Sequence, residues 1–146
     1  MYEDALARVD LFSGLRKKEL KEVATYCREG TYRPGAVLIS QGEKGLGLFI
    51  LTKGTVRITR VSSPDGVEQV LGTVEAGDVL GEMALLDDLP RSATVTAVDE
   101  VSVLVVPFWD FRNILRRILR SDPDVGLDLM AVLSRRLRKA EQRINE

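Results

Sequence analysis

Apolar residues recur along this chain with two different periods, and the change from one to the other divides it. From Tyr2 to Leu11, and again from Leu15 to Cys27, they fall at helical spacing with Ser13-Gly14 between. Two short helices are predicted, the second burying Leu15, Leu20 and Val23 as one stripe, with Ser13 ahead of its charged turn in the place of a cap. From Thr31 the period shortens towards two. Tyr32-Arg33-Pro34-Gly35 reads as a turn, Ala36 to Ser40 as a strand, and Gln41-Gly42-Glu43-Lys44-Gly45 as another turn. Leu46 to Leu51 and Thr55 to Val61 flank Lys53-Gly54 as a hairpin. Pro64-Asp65-Gly66 marks the next reversal, Val67 to Val74 the next strand, and Glu75-Ala76-Gly77-Asp78 the turn after it. Asp78-Val79-Leu80 is a strand fragment, and Ser92 to Val98 and Val101 to Val106 complete the series.

Short strands at regular spacing, punctuated by glycine turns, predict an antiparallel roll. An internal echo supports two halves: Gly35-Ala36-Val37-Leu38 returns as Gly77-Asp78-Val79-Leu80, each following a turn and opening a strand. After the last strand the helical period resumes. Pro107 suits a first helical position, with Phe108 to Leu119 following, and Trp109 is read as a core residue. Ser121-Asp122-Pro123-Asp124 then caps a final helix. Its frame Gly126, Met130, Leu133, Leu137, Ala140, Ile144 alternates steps of four and three, the seam of a coiled coil, while Val125, Leu129 and Val132 form a second stripe beside it. Two stripes need two partners, the roll for one and a second copy of the chain for the other; a single broad stripe lying on the chain's own roll is the alternative. The fold class is therefore α+β, one domain over 1–146: N-terminal helices over 1–30, a β-roll (jelly roll) over 31–107 and C-terminal helices over 108–146.

Composition narrows the chemistry. The 146 residues carry 45% hydrophobic and 29% charged side chains, the make-up of a soluble globular domain. No apolar run is long enough to span a bilayer and no basic leader precedes a hydrophobic stretch, so a cytoplasmic protein without membrane attachment is expected. The single cysteine, Cys27, has no internal partner and is read as a quiet thiol in a helical pattern; there is no histidine. A zinc site, a catalytic triad and imidazole acid-base chemistry are all disfavoured, and neither metal nor cofactor is expected. A net charge of −1 gives no general attraction for nucleic acid. Nine arginines and lysines between Arg112 and Arg143 make the last helices locally basic, which is read as a solvated face.

The stretch with the most chemistry is Gly81-Glu82-Met83-Ala84-Leu85-Leu86-Asp87-Asp88-Leu89-Pro90-Arg91-Ser92-Ala93-Thr94-Val95. It predicts a short helix inserted between two strands. Gly81 lets the backbone approach a ligand closely, and the N–H groups of the first turn, from Met83 and Ala84, can face an anion. Arg91 adds a planar, permanently charged fork suited to two oxygens of one phosphate. Glu82 would repel a phosphate but can accept a hydrogen bond from a sugar hydroxyl. Together they suit a small phosphorylated ribose; an ordinary Glu82–Arg91 surface ion pair is the other reading.

The runs Gly-Glu-Met-Ala-Leu-Leu and Pro-Arg-Ser-Ala-Thr-Val resemble the phosphate-binding cassette of the cyclic-nucleotide-binding domains, a family that includes the bacterial catabolite activator protein, kinase regulatory subunits and nucleotide-gated channels. The match falls on Gly81, Glu82, Ala84, Leu85, Pro90, Arg91, Ala93, Thr94 and Val95. Leu80 replaces a frequent phenylalanine, which is read as a packing swap. The likeness covers nearly the whole chain, which resembles the sensor domain of the bacterial catabolite activator protein. It implies a jelly-roll pocket in which Glu82 meets the ribose 2′-hydroxyl, Arg91 the cyclic phosphate and Ser92 the phosphate or the base. Matching Arg135-Arg136-Leu137 assigns further base contacts to Ala140 and Glu141, where the family member has hydroxyls.

The function implied is a cyclic-nucleotide sensor, with cyclic AMP (cAMP) as ligand, signalling through its C-terminal helices. No nucleophile paired with a base, and no metal ligands, accompany Glu82, so binding rather than catalysis is expected. The alternatives are an enzyme acting on cyclic nucleotides and a degenerate roll kept as an interaction or dimerisation module. The partners implied are the nucleotide, a second copy through the last helix and a downstream effector the sequence does not name. Specific DNA binding by this chain alone is not expected, since in the family's transcription factors a helix-turn-helix module follows the long helix.

Overall fold

The computed structural model describes residues 2–62, 64–82, 84–87 and 89–145. In chain order the elements are α1 (Glu3–Ala7), a 3-10 turn (Asp10–Phe12), α2 (Lys17–Ala24), β1 (Arg28–Tyr32), β2 (Val37–Ile39), β3 (Gly47–Lys53), β4 (Thr55–Ser62), β5 (Val67–Glu75), β6 (Val79–Leu80), α3 (Ala84–Asp87), β7 (Thr94–Ala97), β8 (Val101–Pro107), α4 (Phe108–Ser121) and α5 (Asp124–Asn145). Backbone contacts divide the chain into two compact units, one of Tyr26–Phe111 and one of the residues up to Thr25 with those from Arg112 onward.

The first unit is the roll. Its strands form two antiparallel four-stranded sheets, ordered β1-β8-β3-β6 and β2-β7-β4-β5. Phe49, Leu51, Leu80, Val101 and Val103 from the first sheet meet Ile39, Val56, Val95 and Ala97 from the second, all buried. This is the apolar alternation of the sequence turned into two inner faces, and it is the dominant stabilising term of such a sandwich. The two echoed segments become β2 and β6, an edge strand in each sheet, each opened by a glycine at positive φ, Gly35 at 88° and Gly77 at 100°.

Two strand readings change. The strands around Gly54 are not a hairpin: β3 pairs with β6 and β8, β4 with β5 and β7, and the turn passes the chain from one sheet to the other. Gly54 at φ 91° makes that corner, and a Cβ there would lie 2.4 Å from the Glu100 carbonyl oxygen. The Asp99 carboxylate holds the far side by accepting the Thr55 N–H at 2.8 Å. The second change is β1. Its sequence, Arg-Glu-Gly-Thr-Tyr, has no apolar alternation, and it is a strand because all five residues pair with Tyr32 to Arg28 set against Val101 to Val105 of β8. Cys27 therefore lies between α2 and β1 rather than in a helix, with burial pushing its thiol up to about 12. At neutral pH it is protonated and a poor nucleophile.

The second unit contains the terminal helices. The first predicted helix is cut short at Ala7 and the second begins at Lys17, where the Glu19 carboxylate accepts the Arg16 N–H at 2.8 Å, so Ser13 is not the cap. Gly14 permits close approach to α5, since a Cβ there would sit 2.7 Å from that of Asp128. Ion pairs Arg16–Asp122, Arg117–Glu22 and Arg136–Asp10 join the N-terminal segment to α4 and α5. On α5 the two stripes separate in part: Val125 and Val132 are buried and Met130, Leu137 and Ile144 are 62%, 66% and 83% exposed, while Leu129 of the first stripe and Gly126 and Leu133 of the second are all half-buried. Pro107 is the last residue of β8, paired with Gly47, and α4 starts one residue later. Trp109 is not core. It is exposed, its ring set edge-on at 82° to the buried Phe108 with centroids 5.4 Å apart, so Phe108 is the residue that anchors the start of α4.

Candidate functional site

β6 is two residues long and ends at Gly81, whose φ of 74° turns the chain out of the sheet. One turn of helix follows as α3, and the chain re-enters the second sheet at Thr94. A cavity of about 460 Å³ opens between this excursion and the inner face of the roll. Ile39, Ile58, Val79, Leu80, Leu89 and Val95 give it an apolar wall, and Gly81, Glu82, Asp87, Arg91 and Ser92 give it a polar end. An apolar recess with a few convergent polar groups is the usual form of a small-ligand site.

Arg91 dominates the polar end. It is 7% exposed, one of two buried polar or charged residues among those described, the other being Thr59. Its Nη1 donates to the Gly81 carbonyl at 3.0 Å and its Nη2 to the carbonyl of Gly47. Among the described residues no acceptor meets its Nε, a buried N–H left over. Burial pushes the Arg91 pKa below its ordinary value, an effect the nearby Asp87 carboxylate opposes. The backbone is fixed as firmly as the side chain: Arg91 N–H donates to Glu43 O at 2.9 Å, and Gly42 N–H to Arg91 O at 2.8 Å.

Three glycines shape the space around the guanidinium. A Cβ on Gly45 would lie 2.0 Å from Nη2, one on Gly81 2.1 Å from Nη1, and one on Gly47 1.9 Å from the Val106 carbonyl oxygen. Gly81 was legible in the sequence as a close-approach glycine. Gly45 and Gly47 were not, because the Arg91 side chain they lie against is 46 and 44 positions away and only the tertiary fold brings it near. Asp87 is a further addition. It faces the cavity, and the signal for it lay within the same run, three residues beyond Ala84.

Of the residues singled out from sequence, Gly81, Glu82, Arg91 and Ser92 line one cavity. Glu82 is half-buried and Ser92 exposed at its rim, where the Ser92 carbonyl accepts Arg60 Nε–H at 3.1 Å. Ala84 opens α3, and Met83 lies outside the described residues. Ala140 and Glu141 are exposed on α5, in the other unit. With four residues α3 has little aligned dipole, so the anion-attracting element is the fixed charge of Arg91 more than the helix end.

Comparison with known proteins is consistent with this geometry. Residues 29–118 match the family model described as cyclic nucleotide-binding domain. The chain is 34% identical over 131 residues to the cyclic AMP receptor protein of Thermus thermophilus, covering 90% of this chain and 58% of that protein. It is 33% identical over 119 residues to a cAMP-dependent protein kinase regulatory subunit of Yarrowia lipolytica, covering 82% of this chain and 31% of that one. The crystal structure of the N-terminal domain of a transcriptional regulator from Streptomyces coelicolor superposes with a TM-score of 0.77 at 34% identity, over 96% of this chain and 94% of that one. The chain thus spans less than two thirds of the curated relatives it matches, and both carry the names of a receptor and a regulatory subunit.

The glycine cradle makes a test. Gly45→Ala puts a methyl where the guanidinium now lies, at a backbone position without positive φ. The melting temperature should change little while the Arg91 side chain is expelled, and anion binding in the cavity should fall at least ~10-fold, the factor for about 1.4 kcal/mol of lost contact. Calorimetry beside thermal melting reads both, and unchanged affinity would show that the cradle is not needed.

Proposed function

The chain belongs to the cyclic nucleotide-binding domain family, and from that premise we propose that it is a single regulatory domain, 1–146, that senses cAMP and passes the signal on through α4 and α5. The observation that carries the reading is Arg91. A buried guanidinium with an unmatched Nε–H, at the polar end of an apolar cavity, is a site waiting for an anionic oxygen. The cyclic phosphate supplies it. Ser92 adds a hydroxyl, and the backbone at Gly81 and Ala84 adds N–H groups to the remaining oxygens. Glu82 accepts the ribose 2′-hydroxyl, and the apolar wall receives the base.

Base selectivity is modest in this reading. Ala140 and Glu141, the positions that the run Arg135-Arg136-Leu137 assigns to the base, offer a methyl and a carboxylate instead of hydroxyls. One missing neutral hydrogen bond is worth about 1 kcal/mol, so cAMP is preferred over cyclic GMP by ~10-fold and not by ~1000-fold. Binding without turnover is the proposed chemistry. Among the described residues no group of three or more metal-capable side chains is found, and no cysteine, histidine or lysine lines the cavity. The names of the relatives, a cyclic AMP receptor and a cAMP-dependent kinase's regulatory subunit, support a regulatory role and the choice of ligand. A cytoplasmic setting and an effector that reads the helices complete the proposal.

The exposed seam on α5 supports a homodimer. Met130, Leu137 and Ile144 are large apolar side chains left to solvent at coiled-coil spacing, and a second copy of the helix is the surface that matches them.

Calorimetry with cAMP tests the ligand. The unsubstituted chain should bind, cyclic GMP should bind ~10-fold more weakly, and Arg91→Lys, which keeps charge but loses the fork, should cost about 2 to 4 kcal/mol. Wild-type affinity in Arg91→Lys, or no binding of either nucleotide, would overturn the assignment. Sedimentation tests the dimer. The chain should sediment as a dimer at micromolar concentration and Leu137→Asp, with an unpaired charge in each half of the seam, as a monomer that still binds nucleotide. A monomeric wild type with ligand bound would remove the dimer and leave the sensor.

A further inference from the structure

We propose that Gln41 is a positioning residue that ties the backbone of Arg91 to the β4–β5 hairpin, so that a nucleotide held by Arg91 is felt at the hairpin. The proposal rests on the nucleotide reading above and adds a route by which occupancy leaves the cavity.

The route begins with an edge. β4 has β7 beside it only from Val56 to Thr59, the last pair being Thr59 with Thr94. On the N-terminal side of Thr94 the chain lies outside the sheet, in the turn that carries Ser92 and Arg91, so among the described residues no strand lies beside Val61 on that side. Unpaired strand edges are costly or sticky and are normally covered. Here the cover is one side chain. Gln41 Nε2 donates to Val61 O at 2.9 Å and Gln41 Oε1 accepts Val61 N–H at 2.8 Å. A primary amide carries the same donor and acceptor as a peptide group, so Gln41 stands in for one residue of the missing strand.

The same residue begins the bracket around Arg91. Gln41 N–H donates to Thr94 Oγ1 at 3.0 Å. The next two residues hold the Arg91 main chain from both sides, Gly42 through its N–H and Glu43 through its carbonyl. Arg60, one residue before Val61, donates to Ser92 O. The backbone of the anion site and the distal part of β4 therefore share one short loop. Releasing Gln41 from Val61 keeps the charge of Arg91 but loosens its aim, and binding groups work only when held within ~0.5 Å of the productive geometry. Reciprocity then follows: whatever the closed Gln41–Val61 pair adds to nucleotide affinity, the nucleotide adds to closure of that pair.

Two variants of the full chain test this with cAMP as the probe. Gln41→Met keeps length and removes both hydrogen bonds. Its Kd should rise about 5- to 10-fold, and the slowing of amide exchange that cAMP produces at Val61 and along β5 in the unsubstituted chain should vanish. Gln41→Glu adds a pH signature. As a carboxylate it repels the Val61 carbonyl, whereas its protonated form can donate as the amide does, so its affinity defect should shrink between pH 7 and about 4.5 while that of Gln41→Met stays constant. Should Gln41→Met fail to fold, the pH recovery of Gln41→Glu decides alone. Unaltered Kd with undiminished protection at Val61, or a Gln41→Glu defect independent of pH, overturns the proposal while the nucleotide reading stands. Absence of cAMP binding by the unsubstituted chain brings down both.

Discussion

A buried positive charge is the constraint around which this molecule is arranged. Taking a guanidinium out of water costs several kcal/mol unless its donors are met, and Arg91 is 7% exposed. Two of its nitrogens are met by main-chain carbonyls, of Gly81 and Gly47, and its charge is partly answered by Asp87. Carbonyl dipoles supply partial compensation and Nε–H is left over. The domain is thus folded with an uncompensated attraction for an anion already in place and already aimed. Binding can draw on that without first ordering a flexible side chain, which is what preorganisation means in energetic terms.

The scaffold explains how so polar a group is kept inside a roll. One carbonyl comes from the start of β3 and the other from Gly81, the residue just after β6, and β3 and β6 are adjacent strands of one sheet. The arginine itself comes from the segment feeding β7 in the other sheet. Holding it therefore joins the two sheets at the end where the cavity opens. Glycines at 45, 47 and 81 are required there because each lies where a methyl would overlap the guanidinium or a neighbouring carbonyl. The loop 41–43 then fixes the arginine's main chain, so position and direction are set by separate parts of the fold.

Much of this was legible in the sequence, for identifiable reasons. The strands with apolar alternation and the glycine turns follow from local periodicity, and the structure has them; of the two α5 stripes it separates Val125 and Val132 from Met130, Leu137 and Ile144 and leaves Leu129 and Leu133 alike half-buried. Gly81, Glu82, Arg91 and Ser92 lie within twelve consecutive positions, so a contiguous motif was enough to bring them together. What was missed depends on distant partners. β1 is a strand only because β8 pairs with it, and Arg-Glu-Gly-Thr-Tyr carries no sign of that. The turn at Gly54 looks like a hairpin until each strand's partners are known. Trp109 was placed inside on hydrophobicity, yet the adjacent Phe108 takes the buried position and leaves the indole outside. Gly47 and Gln41 act through backbone and amide groups whose partners are 44 and 20 positions away, a relation no local pattern encodes.

The central claim is that the unmatched Nε–H of Arg91 is the group the ligand phosphate completes. Nitrogen-15 spectroscopy of arginine side chains observes that bond directly. On adding cAMP, the Arg91 Nε–H resonance should move downfield and its exchange with water should slow, as an N–H does when it gains a charged acceptor. Nucleotide binding that leaves the Arg91 Nε–H resonance and its exchange rate unchanged would contradict the account.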